Sequence, residues 1–555
     1  MKKNISHLIR LAIVSVFLVL ILAAIIWRIF DLMVLNRKFL KNQGDARSIR
    51  TVEIPAYRGM ITDRNGVPLA ISTQVESVWV NPKLFKPSKE QLKALSHVLH
   101  VPSKFFATIT KKHQHKEFIY LSRQLSPAIA GKVRALNIAG INFQQEYKRY
   151  YPQLESSAHV VGFTNIDDKG IEGMELAYHD WLRGENGKRR VIKDRIGRVV
   201  EELQIVKSPR PGRDVALSID SRIQYFAYNA LVNTCKKFEA KSGSVVVLDA
   251  KTGEIIAIVN YPSFNPNART KYVVGDFRNR AIVDAFEPGS VIKPFSIASV
   301  LEAGHFTPDT IIDTRPGWMV VDRRLIRDVH NYGVVSVTGV LENSSNVGVS
   351  KMILTEPPNN LLSLLKKSNF GMHTESDYPG ESEGSLIDVR QMSPFVQATL
   401  SFGYGMTATA LQLAKAYLIF ANDGNIMPVS MLAGNAPLNK EQVISKKTAN
   451  EMLSMLEAVS LHGTGRSAQV SGYRVAGKTG TARIAGENGY EDKRYIATFV
   501  GIAPVSRPKL IVVVVINEPS KQGYYGATVA GPLFTDVMSA SLHILNVLPD
   551  KALHT

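Results

Sequence analysis

Leu510-Ile-Val-Val-Val-Val-Ile516 is almost continuously apolar and β-branched. A strand with two apolar faces belongs inside a sheet covered on both sides. Working outward, Ile496–Ile502 reads as a neighbouring strand. Ser244–Leu248 and Glu254–Val259 read as two more, and the Asp-Ala-Lys-Thr-Gly between them signals a hairpin. Pro532–Leu545 carries apolar residues at helical spacing and is predicted to cover part of the sheet. Between these flanks, Phe295–Leu456 reads as a long, mainly helical insert. The second half of the chain is therefore α/β in character.

The whole chain has 555 residues, enough for roughly three or four units at about 150 residues each. It is 45% hydrophobic and 21% charged, which excludes a disordered or collagenous protein. The formal net charge is +19, and much of the excess precedes the sheet region. From about Gly44 to Pro211 the chain is basic and irregular; Val101–Tyr150 alone holds nine Lys/Arg against Glu117 and Glu146. Lys188–Arg213 is similarly basic. No helix-turn-helix, zinc or aromatic-platform signature accompanies this charge, so no nucleic-acid partner is expected. A solvated basic face and a face against anionic lipid both remain open. Cys235 is the single cysteine, which excludes an intrachain disulfide framework and any multi-thiolate metal site.

Leu11–Trp27 contains no charge, and the apolar character resumes after Arg28 through Leu35. About 20 apolar residues span a bilayer. A signal peptide would have a shorter core and a small-residue cleavage site, whereas this run ends in Ile-Ile-Trp-Arg. A retained membrane anchor over 11–35 is expected, with 1–10 as a tail. Basic residues flank both ends, so their count does not orient the span.

Three short motifs carry chemistry. In Ser290-Val-Ile-Lys293 the amine and hydroxyl are three residues apart, on one helix face. Pro288-Gly289 just before it marks a loop entering a helix. A desolvated lysine near another cation can act as base toward a serine nucleophile. Ser344-Ser345-Asn346 offers a hydroxyl and an amide that could relay a proton and hold a substrate amide; it also reads as a polar turn or helix cap. In Lys478-Thr479-Gly480-Thr481 the lysine offers a cation for a carboxylate, and the threonines add donors. Gly480 is read as the place where a ligand approaches a strand closely. Each motif has a decoy: Ser363–Lys366, Ser506–Lys509, Ser263–Asn265 and Lys251–Gly253. The ordered set, with the last member just before two strong strands, is what is specific.

That set resembles the signature of the serine penicillin-binding and β-lactamase group. Other stretches narrow the resemblance to class B penicillin-binding proteins, which are bacterial D,D-transpeptidases with one membrane span. Arg58-Gly-Met-Ile-Thr-Asp63-Arg64-Asn65-Gly66 and Gly170-Ile-Glu172-Gly-Met-Glu175 resemble motifs of that family's pedestal domain. Pro211–Asp220 followed by Ile223-Gln224 resembles the start of its transpeptidase domain. Gly403-Tyr404-Gly405 and Tyr524-Tyr525-Gly526 look like the division-specific branch, the penicillin-binding protein 3 type. The resemblance implies an α+β multi-domain fold. Its parts would be the anchor, a β-rich non-catalytic pedestal over 36–210 and a transpeptidase domain over 211–548, with 549–555 as a tail. The transpeptidase domain would have a central antiparallel sheet flanked by helices and an all-helical lobe.

By the same resemblance, the donor is a peptidoglycan stem peptide ending in D-Ala-D-Ala, and the acceptor is an amine on a neighbouring strand. Ser290 would be the nucleophile and Lys293 its base, with Lys478 and Asn346 tuning that base. Ser344 would relay a proton, and Lys478 and Thr479 would hold the terminal carboxylate. The backbone N–H groups of Ser290 and Thr481 would hold the oxyanion, where losing one donor costs about 3–4 kcal/mol. β-Lactams would acylate Ser290. No metal or organic cofactor is implied. A polytopic glycosyltransferase and other division proteins are the implied partners, and the catalytic domain would lie outside the cytoplasmic membrane. An elongation-type transpeptidase, a β-lactam sensor or β-lactamase, and a mainly structural division scaffold are the alternatives. No Glu-x-x-Leu-Asn element for a deacylating water is present.

Overall fold

The computed structural model describes residues 2–113, 115–194, 199–434, 439–486 and 489–551. Met1 and residues 552–555, part of the two expected tails, lie outside the described residues. The chain forms two compact units. One comprises 1–57, 74–148 and 184–212; the other comprises 58–73, 149–183 and 213–555.

The larger unit is built on a five-stranded antiparallel sheet. Its order is Ile255–Tyr261, Ser242–Asp249, Leu510–Asn517, Gly489–Ala503 and Ala476–Gly486. The expected hairpin is present, with Gly253 at φ +70° in its turn. The apolar runs separate by parity into two cores. Val245, Val247, Val512 and Val514 pack with the helices Ser221–Lys237 and Gly526–Ile544. Val246, Leu248, Val513 and Val515 pack with the helical lobe, including Ala410–Ala416. Alternate residues point to opposite faces, so a strand buried on both sides reads as unbroken apolar sequence.

The closing helix starts at Gly526, earlier than the expected Pro532, and keeps that proline inside it. The insert after Ser290 is mainly helical as expected, but among the described residues it also contains three two-stranded sheets, one of them the hairpin Trp318–Val321/Arg324–Arg327.

Segments 58–73 and 149–183 carry a buried ionic cluster inside the larger unit. Arg58 and Arg149 both donate to the Glu175 carboxylate, through their Nε atoms at 2.7 and 2.6 Å. All three are buried. Arg58 also donates to the carbonyl oxygens of Asp168 and Glu175, and Arg149 to Ser72 Oγ. Asp63 accepts from the backbone N–H and the hydroxyl of Ser221, fastening the start of the first long helix.

The smaller unit includes the helix Lys2–Phe30 and a three-stranded sheet ordered Ile49–Ile54, Gly187–Lys193, Val199–Lys207. The apolar span Ile5–Leu35 is long enough to cross a membrane, and the most apolar part of it is bare of other protein. The stretch read as irregular thus contains regular strands. Two of them were illegible because they bury so little: Val199–Lys207 is exposed along its whole length, and Ile141–Tyr150 buries one residue. Without a buried face there is no alternation to read.

Candidate active site

Ser290 sits in the 3₁₀ turn Gly289–Ile292, which runs directly into the helix Lys293–Glu302. The turn is shaped from behind. Gly289 has φ +60°, and its N–H donates to the Gly403 carbonyl. A Cβ on Gly403 would lie 2.2 Å from Gly289 O, so only glycine fits there. The buried Tyr417 hydroxyl donates to Val291 O at 2.8 Å. Ser290 is therefore held on a turn that is clamped through its backbone, while its side chain is only half-buried.

Lys293 is fully buried. Its Nζ lies 3.1 Å from Ser290 Oγ, 2.5 Å from Ser344 O and 3.1 Å from Ser344 Oγ. Three oxygens suit the three N–H groups of an ammonium; in the neutral amine two N–H groups can stay on Ser344 while the lone pair turns to the Ser290 hydroxyl. Burial pulls the Lys293 pKa down to about 7, and the Asp328 carboxylate partly opposes this. Ser344 has φ +56°, a left-handed conformation that is costly for a residue with a Cβ. Both its carbonyl oxygen and its hydroxyl meet the amine from that conformation.

Lys478 closes the cluster. It is fully buried, and its Nζ donates to Ser344 Oγ at 3.0 Å and to Thr479 O at 3.1 Å. Burial, followed by the charge of Lys293, holds its pKa well below the usual lysine range. Ser344 Oγ thus accepts from both amines, which leaves its own O–H free to donate.

The remaining residues take different places. Asn346 was expected beside Lys293, but its side-chain Nδ2 donates to Arg327 O at 3.0 Å. The group whose charge acts on Lys293 is Asp328, which carries none of the motif spacings. Its carboxylate accepts from Ser345 Oγ and from the N–H groups of Asn346 and Val347, capping the helix Asn346–Ile353. Ser345 Oγ in turn accepts from Gly348 N–H at 2.8 Å. The cap reading of Ser-Ser-Asn holds for Ser345, while Ser344 is the member that meets the two amines. Thr479 donates to Thr464 Oγ1 at 2.9 Å, and Thr481 Oγ1 accepts from Gly526 N–H at 3.0 Å. Gly480 makes room for protein: a Cβ there would lie 3.0 Å from Val291 Cγ1 and 3.1 Å from Pro288 O. Its lack of a side chain lets the edge strand press against the serine turn. Asp328 and Thr464 were missed because no local spacing ties them to a motif, and Gly403 was singled out for the resemblance but not for its contact with Gly289.

Two family models match the chain. The penicillin-binding protein transpeptidase domain matches residues 243–539, and the penicillin-binding protein dimerisation domain matches 53–217. The chain belongs to the penicillin-binding proteins that combine these two domains, class B, and it is a serine-type transpeptidase of that family. Among its relatives, the probable peptidoglycan D,D-transpeptidase PbpC of Pseudomonas aeruginosa is 43% identical, covering 98% of this chain and 96% of that protein. The peptidoglycan D,D-transpeptidase FtsI of Escherichia coli K12 is 38% identical, covering 98% of this chain and 92% of that protein. Penicillin-binding protein 3 of Mycobacterium tuberculosis, solved with aztreonam, has 26% identity and a TM-score of 0.70, covering 90% of this chain and 99% of that one.

Proposed function

We propose that this protein cross-links peptidoglycan stem peptides during septal wall synthesis, through an acyl-enzyme on Ser290. The observation that carries this reading is one serine hydroxyl, that of Ser344, shared by two buried amines beside a second serine. Ser290 Oγ attacks the penultimate D-Ala carbonyl carbon as its proton passes to the neutral Lys293 Nζ. Ser344 hands a proton to the departing D-Ala nitrogen as the C–N bond breaks, and draws one from the Lys293 side. The acceptor amine then attacks the ester carbon, gives up its proton to Lys293, and Ser290 leaves as a hydroxyl. A β-lactam follows the first half only, because its leaving nitrogen stays tethered.

Lys478 and Thr479 take the terminal carboxylate in this reading, and the backbone N–H groups of Ser290 and Thr481 take the oxyanion. The 36–210 region serves as a pedestal and 211–548 as the catalytic domain. The N-terminus is cytoplasmic and the catalytic unit lies outside the inner membrane, because the cross-linked polymer is there. A polytopic glycosyltransferase and other division proteins are its partners.

Treating the full-length protein with penicillin and sequencing the modified peptide by mass spectrometry tests the nucleophile. The adduct is expected on Ser290, and S290A is expected to take up none and to cross-link nothing. An adduct elsewhere would end the assignment. Protease added outside spheroplasts is expected to degrade the catalytic unit; full protection would reverse the orientation.

A further inference from the structure

We propose that the outer face of the hairpin Trp318–Val321/Arg324–Arg327 is a docking strip for the glycan strand that bears the stem peptides. The inference rests on the reading of the Ser290 groove as a peptidoglycan site.

The hairpin is a rigid two-faced element. Its inner residues Val321 and Ile326 are buried in the main core. Its two-residue turn, Asp322-Arg323, has φ +49° and +62°, the primed geometry that matches strand twist. Asp322 accepts from Phe395 N–H at 2.9 Å, and the Arg324 guanidinium lies 4.9 Å above the Phe395 ring, so the turn is pinned to the helix Pro394–Leu400.

The outer face is apolar and bare. Trp318 pairs across the hairpin with Arg327, and Val320 with Leu325. Trp318 is 50% exposed and Val320 58%. Cross-strand partners share a face, so the indole, two aliphatic side chains and a guanidinium form one strip. Both acids next to it are turned inward: Asp322 onto Phe395, and Asp328 onto Ser345, Asn346 and Val347. Arg327 has no ion-pair partner among the described residues, so the strip presents a net cation.

The strip's last strand is tied to the helix that follows Ser344 and Ser345. The carbonyl of Arg327 accepts the Asn346 side chain, and the next residue, Asp328, caps the Ser-Ser-Asn helix. Peptidoglycan is a polymer in which every stem peptide hangs from a sugar chain. A surface that adjoins the peptide groove is therefore passed by sugar rings. The C–H faces of a pyranose suit an exposed indole, and a neighbouring guanidinium suits the carboxylates of the stem.

The test uses the full-length protein in detergent micelles and end-labelled glycan strands freed of peptide by amidase. Fluorescence anisotropy is expected to give W318A about tenfold weaker binding than the wild type, the scale of one aromatic stacking contact. W318F is expected to stay within about threefold of the wild type. W318A binding within twofold of the wild type would overturn the proposal, as would a loss in W318F equal to that in W318A, since ring stacking would not then be the cause. Penicillin acylation of the wild type is measured alongside. Its failure with glycan binding intact condemns the groove reading and leaves the strip standing; normal acylation with glycan binding indifferent to Trp318 condemns the strip.

Discussion

Lys293 Nζ has three oxygen neighbours, one of them the Ser290 hydroxyl, and it can take that hydroxyl's proton only when the amine is neutral. With its pKa brought down to about 7 by burial, the amine is charged and unable to accept a proton below that pH, and free to do so above it. The rate of acylation by a penicillin is therefore expected to rise about tenfold per pH unit below pH 7 and to level off above it. Stopped-flow fluorescence across that range checks this. Asp328 acts on the same amine from a distance and raises its proton affinity, against the effect of burial. Asp328→Asn removes that charge and disturbs the helix cap. The midpoint of the pH profile is expected to move down, while the plateau falls about tenfold through the misplaced Ser344. A purely structural role would lower the plateau and leave the midpoint in place. The Ser–Lys pair was legible from its spacing, because three residues on a helix is a local relation. Asp328 was not, because only the hairpin brings it to the site.

At the scale of elements, the site is a contact between a turn and an edge strand. Glycines make that contact close: Gly480 against Val291 and Pro288, and Gly403 against Gly289. Gly480→Ala inserts a methyl into space already filled. The strand must move off the serine turn, so stability is expected to fall by about 1–3 kcal/mol and acylation by more than tenfold. Thermal melting and the acylation rate, measured on the same preparation, check both. The sequence reading assigned Gly480 to a ligand's approach; the neighbour it admits is the protein itself. The strands of the catalytic sheet were predictable because two-sided burial leaves an unbroken apolar run. The small sheets of the helical lobe and the strands of the smaller unit have no such run.

At the scale of the molecule, the chain reaches the catalytic core through segments far apart in sequence. Arg58 and Arg149 meet over Glu175, and that cluster is sealed from water. Glu175→Gln removes the carboxylate that both buried guanidiniums share and leaves them only the more distant charge of Asp168. Breaking such a pair costs about 3–5 kcal/mol, so the urea midpoint of the larger unit is expected to fall sharply while the apolar span is unaffected. Arginine and glutamate in the two pedestal motifs were visible as residues, but nothing local announced that they meet.

Sequence by itself determined the local features: an apolar span, strands buried on both faces, and three motifs whose order excludes their decoys. Each depends on periodicity or on spacing within one turn of helix or strand, and both are properties of neighbouring residues. Tertiary structure alone decided which carboxylate acts on the buried lysine, what Gly480 makes room for, where Asn346 points, and that an exposed tryptophan pairs with Arg327. Those relations join residues distant along the chain, and only packing, by excluding water and closing long loops, brings them within reach of one another.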